Sequence, residues 1–500
     1  MGKTQSRILS KRNLLIFIFV LNVAILVTAS FFKYFWIYPC VGAFTALVML
    51  PFIASNNFVT HKMSTLLINF AFPLFGITLY VLTKSRSKVL FGRREWQDLN
   101  YKSAEYLIVN ESSLDNLKRQ NLLASKISTY CQNYFNAPLY QNSSTQYISG
   151  ADNFYVELFK EIKDAKKYIF IEAYKIWEGE VWNKLFELLK QKAREGVEIK
   201  ILYNPKTNKN AFTDKLTFKK LINFKIEARP FRSSLYGFSS HRKLVVIDGV
   251  VAFVGGNNIF DKHVQVTTEV GNWRQSSLKI VGDASWGLST LFLNSWQFAG
   301  GKLNKDYLDY RPEIPQKAKS NEFVQPLSIS PLANRNEVRD LYLNLINNAE
   351  SHITIVSSCV LIDGLLAKAL SNAVKSGVEV NLVVSNNSDR YNLNIMGRGY
   401  YEGLIRDGVK IYEYNNGAVR SKLVSIDGIT AMVGTTNLDV RKLNASFECT
   451  ALVHGKDIIK DIDKDIYNII EGCRLLSLKE VREDSFGDKL KGKTYKFFAN

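Results

Sequence analysis

The chain repeats itself, and the repeat restricts the fold more than any other feature of the sequence. Two stretches, 241–258 and 420–437, run in register: His or Arg two residues before a lysine, an apolar run, Asp-Gly, a second apolar run, a glycine-bearing turn and an asparagine. Lys243 and Lys422, Asp248 and Asp427, and Asn258 and Asn437 are each 179 residues apart. Upstream, Gly196-Val-Glu-Ile-Lys-Ile-Leu-Tyr203 is answered by Gly377-Val-Glu-Val-Asn-Leu-Val-Val384. One H-x-K-x4-D match in 500 residues carries little weight, and a strand end with two basic residues would explain it. Two frames at identical spacing imply an internal duplication of about 180 residues.

Within each frame the residues dictate the local structure. Leu244–Ile247 is a continuous apolar run and reads as a buried strand, with Val250–Val254 as its partner across an Asp248-Gly249 turn. The hairpin sets His241 and Lys243 at the start of one strand and Gly255 to Asn258 at the end of the other, where both can converge on a phosphate. Asp152–Lys166 and Val181–Glu195 have helical periodicity, while Tyr168–Tyr174 and Val197–Tyr203 read as strands. The same order returns with the helix Glu337–Ala349, the strand Ile353–Val356 and the helix Leu365–Lys375. This alternation predicts an α/β fold with right-handed crossovers, in two halves spanning 100–305 and 332–500. Pro312, Pro315, Pro326 and Pro331 mark 306–331 as a linker.

Residues 1–95 differ in composition. Runs at 13–32, 34–54 and 66–83 are almost wholly apolar and aromatic, each near the length that crosses roughly 30 Å of hydrocarbon as a helix. They predict a membrane anchor of two or three transmembrane helices rather than a cleaved signal, because further apolar runs follow directly. Both flanks are basic, so the positive-inside rule puts both, and the domain that follows, in the cytoplasm. That requires an even number of crossings and conflicts with three runs. Met1-Gly-Lys-Thr-Gln-Ser6 fits a myristoylation pattern, but an anchored chain gains little from one acyl chain, and the match is read as chance. The net charge of +19 and pI of about 9.4 favour anionic partners. Five scattered cysteines without C-x-x-C suggest neither a disulfide framework nor a zinc site.

On His241-Arg-Lys243, Ile247-Asp-Gly249 and Gly255-Gly-Asn-Asn258, then Asp407–Tyr414, Asn437-Leu-Asp-Val-Arg441 and Phe447-Glu448, the chain resembles the phospholipase D superfamily. Within it the resemblance is to the bacterial cardiolipin synthases, over nearly the whole length. It implies two similar α/β halves, mixed sheets flanked by helices, related by a pseudo-two-fold with their motifs in one site, behind a multi-pass anchor in the cell membrane. It implies transfer of a phosphatidyl group between two phosphatidylglycerols with release of glycerol, without metal or cofactor. The implied partners are phosphatidylglycerol, cardiolipin and the membrane; an oligomer with itself or another synthase is left open. No nucleic acid is expected, since no basic groove with interleaved aromatics accompanies the membrane runs.

Exchange at a phosphodiester needs a nucleophile, a proton donor for the leaving alkoxide, and cations on the non-bridging oxygens. His241 suits the nucleophile, holding a phosphohistidine intermediate. Lys243 and Lys422 suit the cations, and Asn258 and Asn437 can donate hydrogen bonds to the same oxygens. Asp248 and Asp427 complete the catalytic signature, yet at the far ends of their strands they read as structural. The second frame departs from the family: Arg420 stands where the acid–base histidine belongs. It stays charged above about pH 12 and exchanges no proton near neutrality, though it can clamp phosphate. Glu448, the residue expected to orient that histidine, is assigned to Arg420. Gln275, where an acid is expected, leaves His241 a neutral orienting partner. Ser357-Ser-Cys-Val360 replaces a Thr-Pro-Tyr-Phe stretch, and Phe238-Ser-Ser240 a lead-in containing Asn and Arg. His61, His263, His352 and His454 read as exposed or structural, with His263 nearest the motif. Two functions follow: a working transferase that takes its proton from elsewhere, or an impaired paralogue that binds anionic phospholipid or regulates a complete synthase.

Overall fold

The apolar runs of each frame pair as the duplication requires. The computed structural model describes residues 16–25, 27–28, 31, 36–49, 66–83, 86–205, 207–208, 221–231, 238–261, 272–312, 321–333, 336–386, 391–440 and 446–499. The first half holds β1 (Ser143–Ser149), β2 (Tyr168–Ala173), β3 (Glu198–Tyr203), β4 (Glu227–Pro230), β5 (Ser239–Ser240), β6 (Leu244–Ile247), β7 (Val251–Gly255), β8 (Asn272–Arg274) and β9 (Ser276–Gly282). The second holds β10 (Phe323–Ile329), β11 (His352–Ser357), β12 (Glu379–Ser385), β13 (Lys410–Tyr414), β14 (Gly417–Val419), β15 (Leu423–Ile426), β16 (Thr430–Gly434), β17 (Ser446–His454) and β18 (Cys473–Leu475). The first sheet runs β1-β9-β7-β6-β2-β3-β4 and the second β10-β17-β16-β15-β11-β12-β13-β18, the same order with one edge strand added. Both are mixed: β2 and β11 run parallel to β3 and β12 but antiparallel to β6 and β15.

The Asp-Gly turns close both hairpins. Asp248 and Gly249 have φ of 54 and 71, and Asp427 and Gly428 of 54 and 64, the left-handed backbone that a type I′ turn demands. Each aspartate also clamps the central strand. Asp248 accepts the backbone N–H groups of Lys166, Lys167 and Tyr168 at 2.7, 2.7 and 2.8 Å. Asp427 accepts those of Glu350, Ser351 and His352 at 2.9, 2.8 and 2.8 Å. Both lie at the opposite ends of β6 and β15 from His241 and Arg420. They are structural clamps, and the catalytic grouping of the signature does not extend to them.

The halves exchange elements. β5 pairs in parallel with β17 of the other half, and β14 pairs in parallel with β8. The helices that follow β9 and β17 do likewise: Ala284–Phe298 packs on β10, and Lys456–Glu471 on β1. There Asp465 accepts the hydroxyls of Tyr147 at 2.6 Å and Ser149 at 2.7 Å. Ala284–Phe298 is apolar and buried nearly all round, as suits a helix enclosed between sheets. One core cluster therefore runs through both halves, joining Phe170, Val246, Ile280 and Trp286 to Val356, Leu423, Val433 and Val453.

Of the stretch expected to be a linker, 306–331, residues 313–320 lie outside the described residues, and parts on either side form regular structure. Tyr307–Tyr310 forms a capped 3-10 turn, and Phe323–Ile329 is an edge strand with Pro326 opposite Ala451. An edge strand tolerates proline because one side needs no donor, which is why Pro326 misled. By contact the chain divides into 1–90 with 493–500, and 91–492. Within the first unit the described helices include Ile37–Val48 and Pro73–Thr83, of 12 and 11 residues. Asn69 Nδ2 there donates to Thr45 Oγ1 at 3.0 Å. Among the described residues no helix is long and apolar enough to cross a membrane. Parts of the 13–32 and 34–54 runs, and the Met1–Ser6 pattern, lie outside the described residues.

Candidate active site

Strand exchange assembles the site. Because β5 adds to the second sheet, the His241 N–H reaches the Phe447 carbonyl at 2.9 Å. Because β14 adds to β8, the Arg420 N–H reaches the Arg274 carbonyl at 2.7 Å. The two crossings are pseudo-symmetric, and each frame's leading residue is held by the other half. Gly256 is where a side chain would block this: a Cβ there would lie 3.1 Å from the Arg420 carbonyl oxygen.

His241 Nδ1 lies 3.2 Å from Glu448 Oε1, with the two side chains only 16% and 6% exposed. Thr435 Oγ1 and Ser446 Oγ donate to the same carboxylate at 2.5 and 3.0 Å. Burial alone would raise the Glu448 carboxyl, but His241, Lys243 and the Thr435 hydroxyl outweigh it and hold the group below the usual carboxylate range. An ionised Glu448 keeps the imidazole proton on Nδ1 and leaves the lone pair on Nε2, the arrangement of an activated nucleophile. Tyr174 packs edge-on against the ring, centroids 4.4 Å apart, and limits its rotation.

The sequence expectation pairs Glu448 with Arg420 and Gln275 with His241; the structure instead gives Glu448 to His241 and sets Arg420 over Trp273. The reason is the strand exchange, which brings each frame's leading residue to the last long strand of the other half. Gln275 holds in the first half the place Glu448 holds in the second, set by the β7–β9 and β16–β17 registers. It is buried, two residues from Trp273, and the Arg420 guanidinium lies over the Trp273 ring at 4.6 Å from the centroid. Arginine for histidine and glutamine for an acid are thus one paired change. A histidine needs a carboxylate to set its tautomer; an arginine needs none to stay charged.

Lys243 Nζ donates to the His241 carbonyl at 3.0 Å, and Lys422 Nζ makes the same bond to the Arg420 carbonyl. Asn437 Oδ1 accepts from Ser358 Oγ at 2.7 Å, leaving its amide hydrogens to donate. Ser358 belongs to the Ser357–Val360 stretch and sits at the place of Tyr174 in the first half. The Asn258 carbonyl accepts the Tyr155 hydroxyl. His352 pairs with the Ser351 hydroxyl near Asp427, at the far end of the sheet, and His454 is buried between Ser128 and Thr430. His61 and His263 lie outside the described residues. Among the described residues no three His, Cys, Asp or Glu gather as a metal set, and none of the five cysteines forms a disulfide. A cavity of about 560 Å³, lined by Trp96, Tyr140, Asn294 and Ser328 among others, includes none of the site residues.

Sequence reasoning missed Arg242. It is fully buried, and Nε donates to the Glu448 carbonyl at 3.1 Å. Nη1 donates to Ser295 Oγ at 2.6 Å, and Nη2 to Ser328 Oγ at 2.8 Å and the Ile329 carbonyl at 3.3 Å. It therefore fixes the backbone of the residue that orients His241. Glu172, also buried, accepts from Ser240 Oγ at 2.6 Å; burial pushes its carboxyl up, and Arg242 opposes the shift. The available signal was alternation, which turns Arg242 to the face opposite His241 and Lys243 and into the core.

Two strand-exchanged α/β halves around a histidine–carboxylate pair and two lysines define a phosphoryl-transfer scaffold of the phospholipase D type. The family described as "Cardiolipin synthase, PLD-like domain" matches residues 158–282 and 342–470, just over half of the chain, and the chain belongs to that family. A cardiolipin synthase of Geobacillus kaustophilus is 28% identical over 481 residues, covering 90% of this chain and 92% of that protein. One from Alkalihalophilus pseudofirmus is 27% identical over 497 residues, covering 96% and 97%. An uncharacterized protein of Streptococcus mutans is 29% identical over 447 residues, covering 87% and 95%. The crystal structure of a phosphatidylserine synthase of Haemophilus influenzae shares the fold, with a TM-score of 0.58 at 14% identity over 74% of this chain and 97% of that one.

Proposed function

We propose that the chain is a membrane-bound phosphatidyltransferase of cardiolipin synthase type. His241 Nε2 attacks the phosphorus of one phosphatidylglycerol, the bond from phosphorus to its head-group oxygen breaks and glycerol leaves with a proton taken from solvent, and a phosphohistidine forms while Lys243, Lys422 and Arg420 hold the non-bridging oxygens. The head-group hydroxyl of a phosphatidylglycerol then takes the phosphatidyl group. The observation that carries this reading is the His241–Glu448 contact, 3.2 Å long and assembled from both halves, which a chain kept only to bind lipid would not need. The apolar runs of the first 95 residues and the excess of basic residues support attachment to an anionic membrane, with the transferase domain on its cytoplasmic side. Phosphatidylglycerol and cardiolipin are the lipid partners in this reading.

Arg420 and Gln275 favour a second reading, an impaired paralogue that binds anionic phospholipid or regulates a complete synthase. Lipid analysis of cells lacking every cardiolipin synthase decides between them. Cardiolipin made by the wild-type chain and absent with His241→Ala would establish the transferase. A wild-type chain that makes none while Arg420→His makes it would establish the impaired reading.

A further inference from the structure

The last helix, Phe486–Ala499, takes no part in the site, yet its rotation is fixed and its outer face differs from an ordinary solvated surface. Ser485 caps it, its Oγ accepting the Asp488 N–H at 3.2 Å. Gly492 sets the inner face. It crosses the helix Tyr391–Asp407 at Gly399, where a Cβ on Gly492 would lie 3.0 Å from the Gly399 nitrogen. A side chain on either glycine would push the two backbones apart. Gly492 and Tyr495 are buried on that side. Beside the crossing, Arg398 pairs with Asp484, just ahead of the helix, and donates to Glu413 of β13 at 2.6 Å. The helix is thereby tied to the sheet that carries the second frame. With Gly492 and Tyr495 inward, helical spacing turns Phe486, Lys489, Leu490 and Lys493 outward. Phe486 is 82% and Leu490 55% exposed, and both lysines are exposed. Lys496 extends the same flank, and Lys491 lies on the other.

We infer that this face is a second membrane-docking surface, seated on the head-group layer of a bilayer rich in anionic phospholipid. The inference rests on the membrane attachment proposed above and adds a contact far along the chain from the apolar runs of the first 95 residues. Four lysines against one acid, Asp488, around two exposed apolar side chains suit a lipid interface. Phe486 and Leu490 enter between head groups, while the lysine stems lie along them and the ammonium groups reach phosphate. A second copy does not suit the face, because lysines would meet lysines in a chain whose net charge is +19. Each lysine near an anionic surface strengthens binding about fivefold. Two inserted side chains bind weakly alone, so the contact depends on lipid charge and is released by salt. Through Gly399 and the Arg398–Glu413 bond the docked helix holds β13, which leads into β14 and Arg420, at the surface where a phospholipid substrate lies.

The test uses the full-length chain in nanodiscs of phosphatidylcholine, alone or mixed equally with phosphatidylglycerol, and reads amide hydrogen exchange by mass spectrometry. Exchange over 486–496 should be at least about tenfold slower in the phosphatidylglycerol discs. Most of that protection should vanish in about 1 M salt, where the Debye length is about 3 Å. Phe486→Ser with Leu490→Ser, and separately Lys489→Gln with Lys493→Gln, should each remove it. All four side chains are exposed, so the melting temperature of both double variants should match wild type. Equal exchange in the two kinds of disc, or protection that both double variants retain, would overturn the docking surface and leave attachment through the first 95 residues standing. A chain that enters neither kind of disc would overturn the membrane attachment itself.

Discussion

The two halves share strand order, hairpin turns and aspartate clamps, yet differ around the reacting atoms. Where the first half has His241, Tyr174 and Arg242, the second has Arg420, Ser358 and Ser421. The partner of His241 is Glu448, and Arg420 lies over Trp273. The differences are concerted: the titratable ring has lost its orienting acid and the tyrosine that limits its rotation, while Lys422 and Asn437, proposed to hold phosphate, remain. A duplicated scaffold thus separates two jobs that a symmetric site would share. In the proposed mechanism covalent chemistry stays on one side, and fixed positive charge occupies the other.

The largest expected effect breaks that division outright. His241→Ala should lower transfer by at least about 10⁴-fold and abolish acid-labile phosphate on the protein, as loss of a nucleophile does. Arg420→Ala should cost less, about 10²- to 10³-fold, the range for losing one charge-stabilising donor, and should still label His241. Labelling of His241→Ala at wild-type levels would show the nucleophile to be elsewhere. Next comes the orienting pair. Glu448→Gln should lower kcat by about 10²- to 10⁴-fold through the tautomer of His241. Gln275→Glu, facing a residue that needs no orienting, should stay within about tenfold of wild type. Equal losses in the two variants would erase the distinction between Glu448, in contact with His241, and Gln275.

The scaffold gives the third comparison. Asp248→Ala and Asp427→Ala each leave backbone N–H groups of a strand entry without their acceptor and should each destabilise by roughly 1–3 kcal/mol in denaturant unfolding. Because both clamps make three backbone bonds, the losses should be similar in the two halves. Labelling of His241 per folded molecule should be unchanged. A loss of labelling with folding intact would return the aspartates to the catalytic set.

These contrasts also mark how far the sequence could be read. Duplication, hairpins, the His241 and Lys243 placement and the Arg420 departure were legible because identical spacing and apolar periodicity are local signals. The partner of His241 was not, because β5–β17 and β14–β8 pairing is non-local and involves only two or three residues each. Polar Ser239-Ser240 carries no strand signature of its own. Arg242 was hidden for a related reason: its partners Ser295, Ser328, Ile329 and Glu448 are scattered over about 200 residues and mean nothing until folded. Pro326 was read as linker because a proline on an edge strand looks like a proline in a loop.

The smallest expected effect at neutral pH sharpens a difference far from the site. Where the first half pairs Val251 with Val281, the second pairs Thr430 with His454 in the same register. His454 is buried, with Nε2 2.9 Å from Ser128 Oγ and Nδ1 2.9 Å from Thr430 Oγ1. Burial pushes its pKa down from 6.5 to about 3. Its folded value is depressed, so below about pH 6.5 the unfolded chain takes up a proton that the folded chain refuses. The histidine therefore costs nothing electrostatically above that pH. As pH falls towards 3, it removes about 1.4 kcal/mol of stability per unit. His454→Gln keeps hydrogen-bonding capacity without titrating. Its melting temperature should lie close to that of wild type at pH 7.5 and fall less steeply between pH 6.5 and 4. Parallel curves over that range would mean that the buried imidazole is not the group that makes the second half acid-sensitive.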